Sequence, residues 1–234
     1  MTDTAAGAQP AEAAAGLSAR LRDRLRPLRD GTRPAFLRLL LAGALEPAEY
    51  GELLVQYRVV YRALDQAADA AGAAGGDPVA GRYAAHYRGR VQALEHDLRA
   101  LFDTADPDIE ICDATAAYRD RIRQAAGRPG GFVAHHHVRY LADLSGGQLI
   151  REALDEAYGP AASILSFHSF PGPSSVRALK DEYRAALDAT AWPQDQQQRI
   201  ADEAVVAYGL STGLLDALGD RLTRNWADGP VRRR

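Results

Sequence analysis

Apolar residues recur at helical spacing along most of the chain. The clearest stripe is Tyr50, Leu53, Leu54, Tyr57, Tyr61 and Leu64, which predicts a helix opened by Glu46-Pro47. Upstream, a helix is expected from Leu17-Ser18, with Ser18 as N-cap, to about Arg29, where Asp30-Gly31-Thr32 breaks it. Thr32 then caps a second helix with Pro34 near its first turn; Phe36, Leu37, Leu40 and Leu41 face inward, and Ala42-Gly43 ends it. Beyond a glycine-rich connection from Ala71 to Asp77, a fourth helix runs through Tyr83, Tyr87, Val91, Leu94, Leu98 and Leu101. Asp106-Pro107 interrupts the chain, and a helix near Ile111 to Ala126 leads into Gly127-Arg-Pro-Gly-Gly131. A long central helix follows, stopped by Tyr158-Gly159-Pro160. An aromatic loop from Phe167 to Pro173 precedes a short helix capped by Ser174-Ser175 and ending about Leu187. Trp192-Pro193 opens a last helix that reaches Leu218 or beyond. No stretch alternates with the period of a strand and nothing repeats, so the expected fold is all-α.

The central helix contains Ser145-Gly146-Gly147 far from either end. Each internal glycine costs about 0.5–1 kcal/mol against alanine, so an adjacent pair needs a reason. A kink, a close helix crossing, or a backbone lying against something flat and large would each supply one. Asp143 sits three residues before Gly146 on the same face, and Arg139 precedes Asp143 at the i,i+4 spacing that lets the two side chains meet. Lys180 and Arg184, four apart, also share a face and could reach a pair of carboxylates. By themselves, a Lys and an Arg at this spacing are more often a solvated face.

At 234 residues the chain makes one large domain or two small ones, and its net charge of -3 gives no argument for nucleic acid. A single cysteine, Cys112, excludes an internal disulfide framework. There is no apolar run of transmembrane length, so no membrane insertion is expected. The Ala-rich start lacks the basic and apolar regions of a signal peptide, which points to a cytoplasmic protein. The expected organisation is a disordered tail over 1–16, one helical domain over 17–222, and a frayed basic tail over 223–234. His135, His136 and His137 point about 100° apart on a helix and cannot converge on one ion. Ser145 lies inside a helix and not on a nucleophile turn, no phosphate loop follows a strand, and Glu95-His96 lacks the spacing of a di-iron carboxylate bundle.

The run Arg139-Tyr-Leu-Ala-Asp-Leu-Ser-Gly-Gly-Gln148 resembles the distal-helix signature of the biliverdin-producing heme oxygenases. Phe36 to Gly43, Tyr50, and Gln56 to Leu64 resemble that family's second and third helices, and Ser166 to Pro171 its aromatic loop. Lys180-Asp-Glu-Tyr183-Arg184 resembles its propionate-binding helix, and Tyr208 fills a family aromatic position, so the resemblance covers about residues 17 to 218. It implies a single-domain helical bundle with a kinked distal helix that binds haem as substrate or ligand. It implies a catalytic set of Asp143, Arg139, Tyr61 and Tyr118, the last matched across a one-residue gap, ordering water beside bound dioxygen. It implies haem contacts from Leu28, Ala142, Gly146, Gly147, His137, Lys180, Tyr183, Arg184 and Tyr208. Ala142 stands where the family usually has a further glycine, and its methyl would crowd the oxygen side.

The largest departure lies in the first helix. The family's axial histidine falls eight residues before the aromatic that matches Phe36, and that position here is Leu28. No histidine precedes His86, so no metal ligand is assigned, and His168 is the substitute to consider. His135 matches a family histidine that does not bind iron, while His86 and His96 have solvent-facing contexts. Two functions remain open. One is oxidative cleavage of haem to biliverdin, carbon monoxide and iron, fed by an external electron donor such as ferredoxin or a flavin reductase. The other is a non-catalytic haem or tetrapyrrole binder.

Overall fold

A computed structural model describes residues 16–73, 89–170 and 175–228. Tyr83, Tyr87, His86 and Ser174 lie outside them, as do most of the two expected tails. Among the described residues the chain forms eight α-helices and no strand. They are α1 (Leu17–Arg29), α2 (Ala35–Leu41), α3 (Pro47–Ala73), α4 (Arg90–Phe102), α5 (Asp113–Ala126), α6 (Gly131–Tyr158), α7 (Val176–Asp188) and α8 (Gln194–Asp228). A 3-10 turn, Gly159–Ile164, follows α6.

The two longest flanking helices make the frame. α3 packs on α4 and α5 through its predicted stripe, with Tyr50, Leu53, Leu54, Tyr61 and Leu64 fully buried. α8 packs on α6, α1, α2 and α5, and presents Ala201, Ala204 and Ala207 to the interior, small side chains that allow close helix approach. Between them runs α6, buried on every side from Gly131 to Leu141. Beyond that point one side opens, with Ala142, Ser145 and Leu149 exposed. A helix that changes from fully buried to half-open has no constant apolar stripe, which is why its periodicity in the sequence is only rough. Gly130, at φ +76°, supplies the left-handed turn that launches it.

Several helix ends differ from expectation. Ser18 lies inside α1 and the N-cap is Gly16, whose side chain offers nothing. The cap comes from a distant residue: Asp188, at the end of α7, accepts from the Ser18 backbone N–H at 2.8 Å and its hydroxyl at 2.6 Å. A carboxylate there satisfies one of the four orphan donors of the first turn and faces the positive end of the helix dipole. Thr32 does not cap α2, which begins after Pro34. α3 starts as predicted, and Glu49 reaches back to accept from the Glu46 N–H at 2.8 Å. α7 is capped by Ser175, whose hydroxyl accepts from the Ala178 N–H at 3.2 Å. α8 stays helical to Asp228, past the expected boundary at 222, with Trp226 donating to Glu49 at 2.6 Å.

The aromatic loop after α6 is held by α4. Asp97, fully buried, accepts from the Ser166 N–H at 2.7 Å, the Ser166 hydroxyl at 2.9 Å and the Phe167 N–H at 2.8 Å. Burial pushes its carboxyl up, and those hydrogen bonds oppose the shift. Arg90, two turns earlier, donates to the Phe167 and Ser169 carbonyls, with its guanidinium 4.3 Å from the Phe167 ring and 4.4 Å from the Phe170 ring. Asp97→Ala should lower stability by about 2–4 kcal/mol, since it strands buried donors that had a charged acceptor. Urea unfolding checks this: the midpoint should fall with no change in slope.

Candidate active site

The site is organised along one flank of α6. Arg139 and Asp143, one turn apart and both buried, meet with Nη2 to Oδ1 at 2.7 Å. Arg139 also donates to the Ser211 hydroxyl of α8 at 2.9 Å and to the Tyr57 hydroxyl of α3 at 3.4 Å. Its guanidinium carbon lies 4.3 Å from the centre of the Tyr57 ring and 5.7 Å from that of Tyr61. Three helices thus converge on one cation. Burial pushes the Asp143 carboxyl well above the usual carboxylate range, while the Arg139 contact opposes the shift. Its second oxygen, Oδ2, is buried with no hydrogen-bond partner among the described residues. Tyr118 is also buried, its ring 5.7 Å from that of His135, and burial raises its phenol.

The two glycines have different neighbours. A Cβ on Gly146 would meet nothing within 4 Å, and the exposed residues Ala142, Ser145 and Leu149 share its side of the helix. A Cβ on Gly147 would meet the His168 carbonyl and the Phe170 ring, each at 3.4 Å. Gly146 therefore belongs to an open face, and Gly147 lets the aromatic loop press against the backbone.

A second cluster forms where α1, α6 and α7 meet. Arg29 and Arg184 both act on His137 and on Lys180. The Lys180 ammonium is pushed down, first by its partial burial and then by Arg184 and Arg29. Arg184 shares Asp181 at 3.1 Å, whereas no carboxylate pairs with Arg29 among the described residues. His137 is fully buried, and neither ring nitrogen has a partner among the described residues. Tyr183 turns towards α6, its hydroxyl 3.0 Å from His136 Nδ1. Leu28, on the last turn of α1, is 39% exposed, one of the few large apolar side chains that stay open to solvent. Its carbonyl accepts from the Tyr208 hydroxyl at 3.2 Å.

Of the remaining histidines, His135 is paired at one ring nitrogen only, its Nδ1 buried without a hydrogen-bond partner among the described residues. His135 is a core residue, with Nε2 3.0 Å from Glu203, and His96 is exposed. No group of three or more metal-ligating side chains occurs among the described residues. His168 is not at the cluster of Lys180 and Arg184. Its ring is buried against Phe167 and Tyr50, and its charged neighbours are Arg90, Arg139 and Arg151. That position is beside Asp143, and not at the cationic cluster as a place in the loop just before the helix of Lys180 and Arg184 would suggest. Sequence reasoning missed Tyr57, Ser211 and Arg29. Tyr57 had been taken as core only, and Ser211 and Arg29 had no local pattern to mark them.

A glycine-relieved helix with a buried Arg–Asp pair thus lies inside an all-α bundle. The heme oxygenase family model matches residues 18–217. Heme oxygenase 1 from Nostoc is 30% identical over 213 residues, 84% of this chain and 86% of that protein. The heme oxygenase structure from Leptospira interrogans superposes with a TM-score of 0.77 at 28% identity, over 87% of this chain and all of that one. The structure of heme oxygenase-1 from Synechocystis in complex with heme gives 0.75 at 26% identity, covering 91% and 96%. The chain belongs to the heme oxygenase family. Among the described residues, no helix is long and apolar enough to cross a membrane.

The buried ionisable groups make a pH prediction. Burial pushes His137 and His168 down to about 3, and His135 down as well. Burial raises Glu203, but hydrogen bonds from His135 and Arg121 outweigh it and hold the carboxyl at about 2. Each group binds fewer protons folded than unfolded, so each contributes stability at neutral pH that is lost as pH falls. The histidine part begins to go below about 6.5 and the Glu203 part below about 4.5. Asp143 and Asp97, both raised, act in the opposite sense. Replacing one imidazole isolates its share: the His137→Phe variant should lose stability less steeply than wild type between pH 7 and pH 4, measured by urea midpoints.

Proposed function

We propose that this protein opens haem to biliverdin, carbon monoxide and iron, using dioxygen and an external electron donor, on the face of α6 that carries Ala142, Ser145 and Gly146. The observation that carries this is Asp143, with one carboxylate oxygen held by Arg139 and the other buried without a hydrogen-bond partner among the described residues, beside a backbone left bare at Gly146. Haem, as substrate, brings the iron at which dioxygen is reduced. Asp143, held by Arg139 with Tyr57 and Tyr61 around the guanidinium, would orient water and deliver protons there. Tyr118 lies deeper, against His135, and would close that pocket from behind. Ala142 and Gly146 would lie against the macrocycle, with Gly147 keeping the aromatic loop close. Lys180, Arg184 and Arg29, which no carboxylate pairs among the described residues, form a cationic edge suited to two propionates, and the imidazole of His137 adds a donor at that edge. Tyr183 would set the edge from behind, and Tyr208 would hold Leu28. Electrons would come from a cytoplasmic donor, a ferredoxin or a flavin reductase.

Leu28 supports a second reading. We place it beneath the haem, on the side opposite Gly146, since it is apolar, exposed, and next to Arg29 of the cationic edge. Leucine gives no ligand, and iron without imidazole has less electron push onto bound dioxygen. A haem carrier without catalysis would tolerate that. An intact Arg139–Asp143 pair would then have no evident use, so the enzyme is preferred.

Two experiments test these readings. Purified protein should take up one hemin, followed at the Soret band, and with oxygen, reductant and catalase should yield biliverdin. Asp143→Ala should keep the uptake and lose the biliverdin; no saturable uptake by wild type would reject the tetrapyrrole site, and uptake without turnover would favour the carrier. Separately, Leu28→His should shift the ferric and ferrous spectra towards those of imidazole-ligated haem. A wild-type spectrum already of that kind and unchanged by the substitution would show that Leu28 is not at the axial position.

A further inference from the structure

A cavity of about 300 Å³ lies between α6 and the aromatic loop, lined by Asp143, Leu144, Gln148 and Glu152 of the helix and by His168 and Ser169 of the loop. Its inner wall holds the buried residues Asp143, Leu144 and His168, and its outer wall the exposed residues Gln148, Glu152 and Ser169. It therefore runs from the interior to the surface, and ends inside at a carboxyl. At about 30 Å³ per water molecule it has room for a chain of waters. Two groups at its inner end lack hydrogen-bond partners among the described residues: Asp143 Oδ2, and both nitrogens of His168. Such groups are costly to bury without something to bond. The ring is not loosely placed. Asp97 and Arg90 clamp the loop on both sides of it, its carbonyl lies against Gly147, and the Tyr50 ring is 6.1 Å away.

We propose that His168 is a proton-relay residue acting through Asp143: it takes a proton from solvent in this cavity at one ring nitrogen and releases the proton on the other nitrogen, by way of water, to the free oxygen of Asp143. The proposal rests on the haem-opening function above, in which the reduction of dioxygen consumes protons as well as electrons. One proton enters the ring as one leaves, so the imidazole ends neutral in the other tautomer, and rotation of the ring about its bond to Cβ, with the loop backbone held, restores the first tautomer for the next proton. A neutral imidazole suits this, being a donor at one nitrogen and an acceptor at the other. Burial and the facing cations Arg90, Arg139 and Arg151 keep His168 in that form, so it acts as a conductor and not as a stored acid. Glu152 is the acidic side chain at the cavity's outer end, and Tyr50 is the phenol that faces the ring from α3.

Two substitutions separate relay from packing. His168→Phe keeps the ring shape and removes both nitrogens; His168→Gln keeps a polar group that can hold water but cannot accept one proton and release another. With hemin bound, both should slow biliverdin formation by on the order of a hundredfold and change its solvent isotope effect, with hemin uptake unchanged. Wild-type rates and an unchanged isotope effect in His168→Phe would overturn the proposal, and so would a His168→Gln variant that works as well as wild type. A readout without haem keeps this apart from failure of the haem-opening reading. The Asp143 carboxyl, followed through its infrared bands as assigned by their change in Asp143→Asn, should exchange its proton with solvent after a pH jump promptly in wild type and slowly in both His168 variants. Equal exchange in all three would overturn the relay whether or not the protein turns haem over.

Discussion

Arg139 carries a charge into the middle of the bundle, and that charge sets what may surround it. It is held by Asp143 one turn along its own helix, by Ser211 of α8 and by the hydroxyl and ring of Tyr57 of α3. Removing one partner of a buried ion pair typically costs about 3–5 kcal/mol, because the other is left uncompensated. The pair is thus poor material for stability but a good way to fix position. It locks the register of α6 against α3 and α8, and so fixes which residues of α6 turn outward. Ala142, Ser145 and Gly146 form the open face because Arg139 and Asp143 are committed to the flank.

The same commitment explains the opposed ionisation preferences packed around α6. His137 and His168 are driven towards their neutral forms and Asp143 towards its protonated form, all by lack of water. Arg29 and Arg184 are exposed and Lys180 is half-buried, so the positive charge on α1 and α7 lies outside this interior. In the proposed function that contrast would orient a dianionic ligand before any specific contact is made.

Much of this was legible in the sequence where the chemistry is contiguous. Arg139, Asp143 and Gly146 occupy one turn-by-turn run, so helical spacing alone brings them together. Lys180 and Arg184 could be paired for the same reason. What could not be read depends on distant partners. Tyr57 looked like one more core aromatic on the α3 stripe, and only the packing of α3 on α6 aims its hydroxyl at Arg139. Ser18 and Thr32 looked like N-caps because local patterns favour them, yet Asp188 caps the first helix from the far end of α7. Asp97 and Arg90 read as ordinary polar positions, and the loop that they clamp lies some seventy residues on, with |i−j| of 70 and 77. His168 drew notice as a stray histidine, but its side of α6 was invisible before the loop was folded.

The link between Ser18 and Asp188 has a mechanical meaning beyond its role as a cap. It joins the start of α1 to the end of α7, while Arg24 and Asp202, at 2.7 Å, tie α1 to α8. Leu28 and Arg29 ride on the first of these helices, and Lys180 and Arg184 on the second. In the proposed pose, floor and rim of the open face would therefore belong to one fastened jaw. A ligand gripped at its charged edge by α7 would restrain the floor beneath its centre as well, and whatever stiffens α1 would sharpen the grip of α7 by an equal free energy.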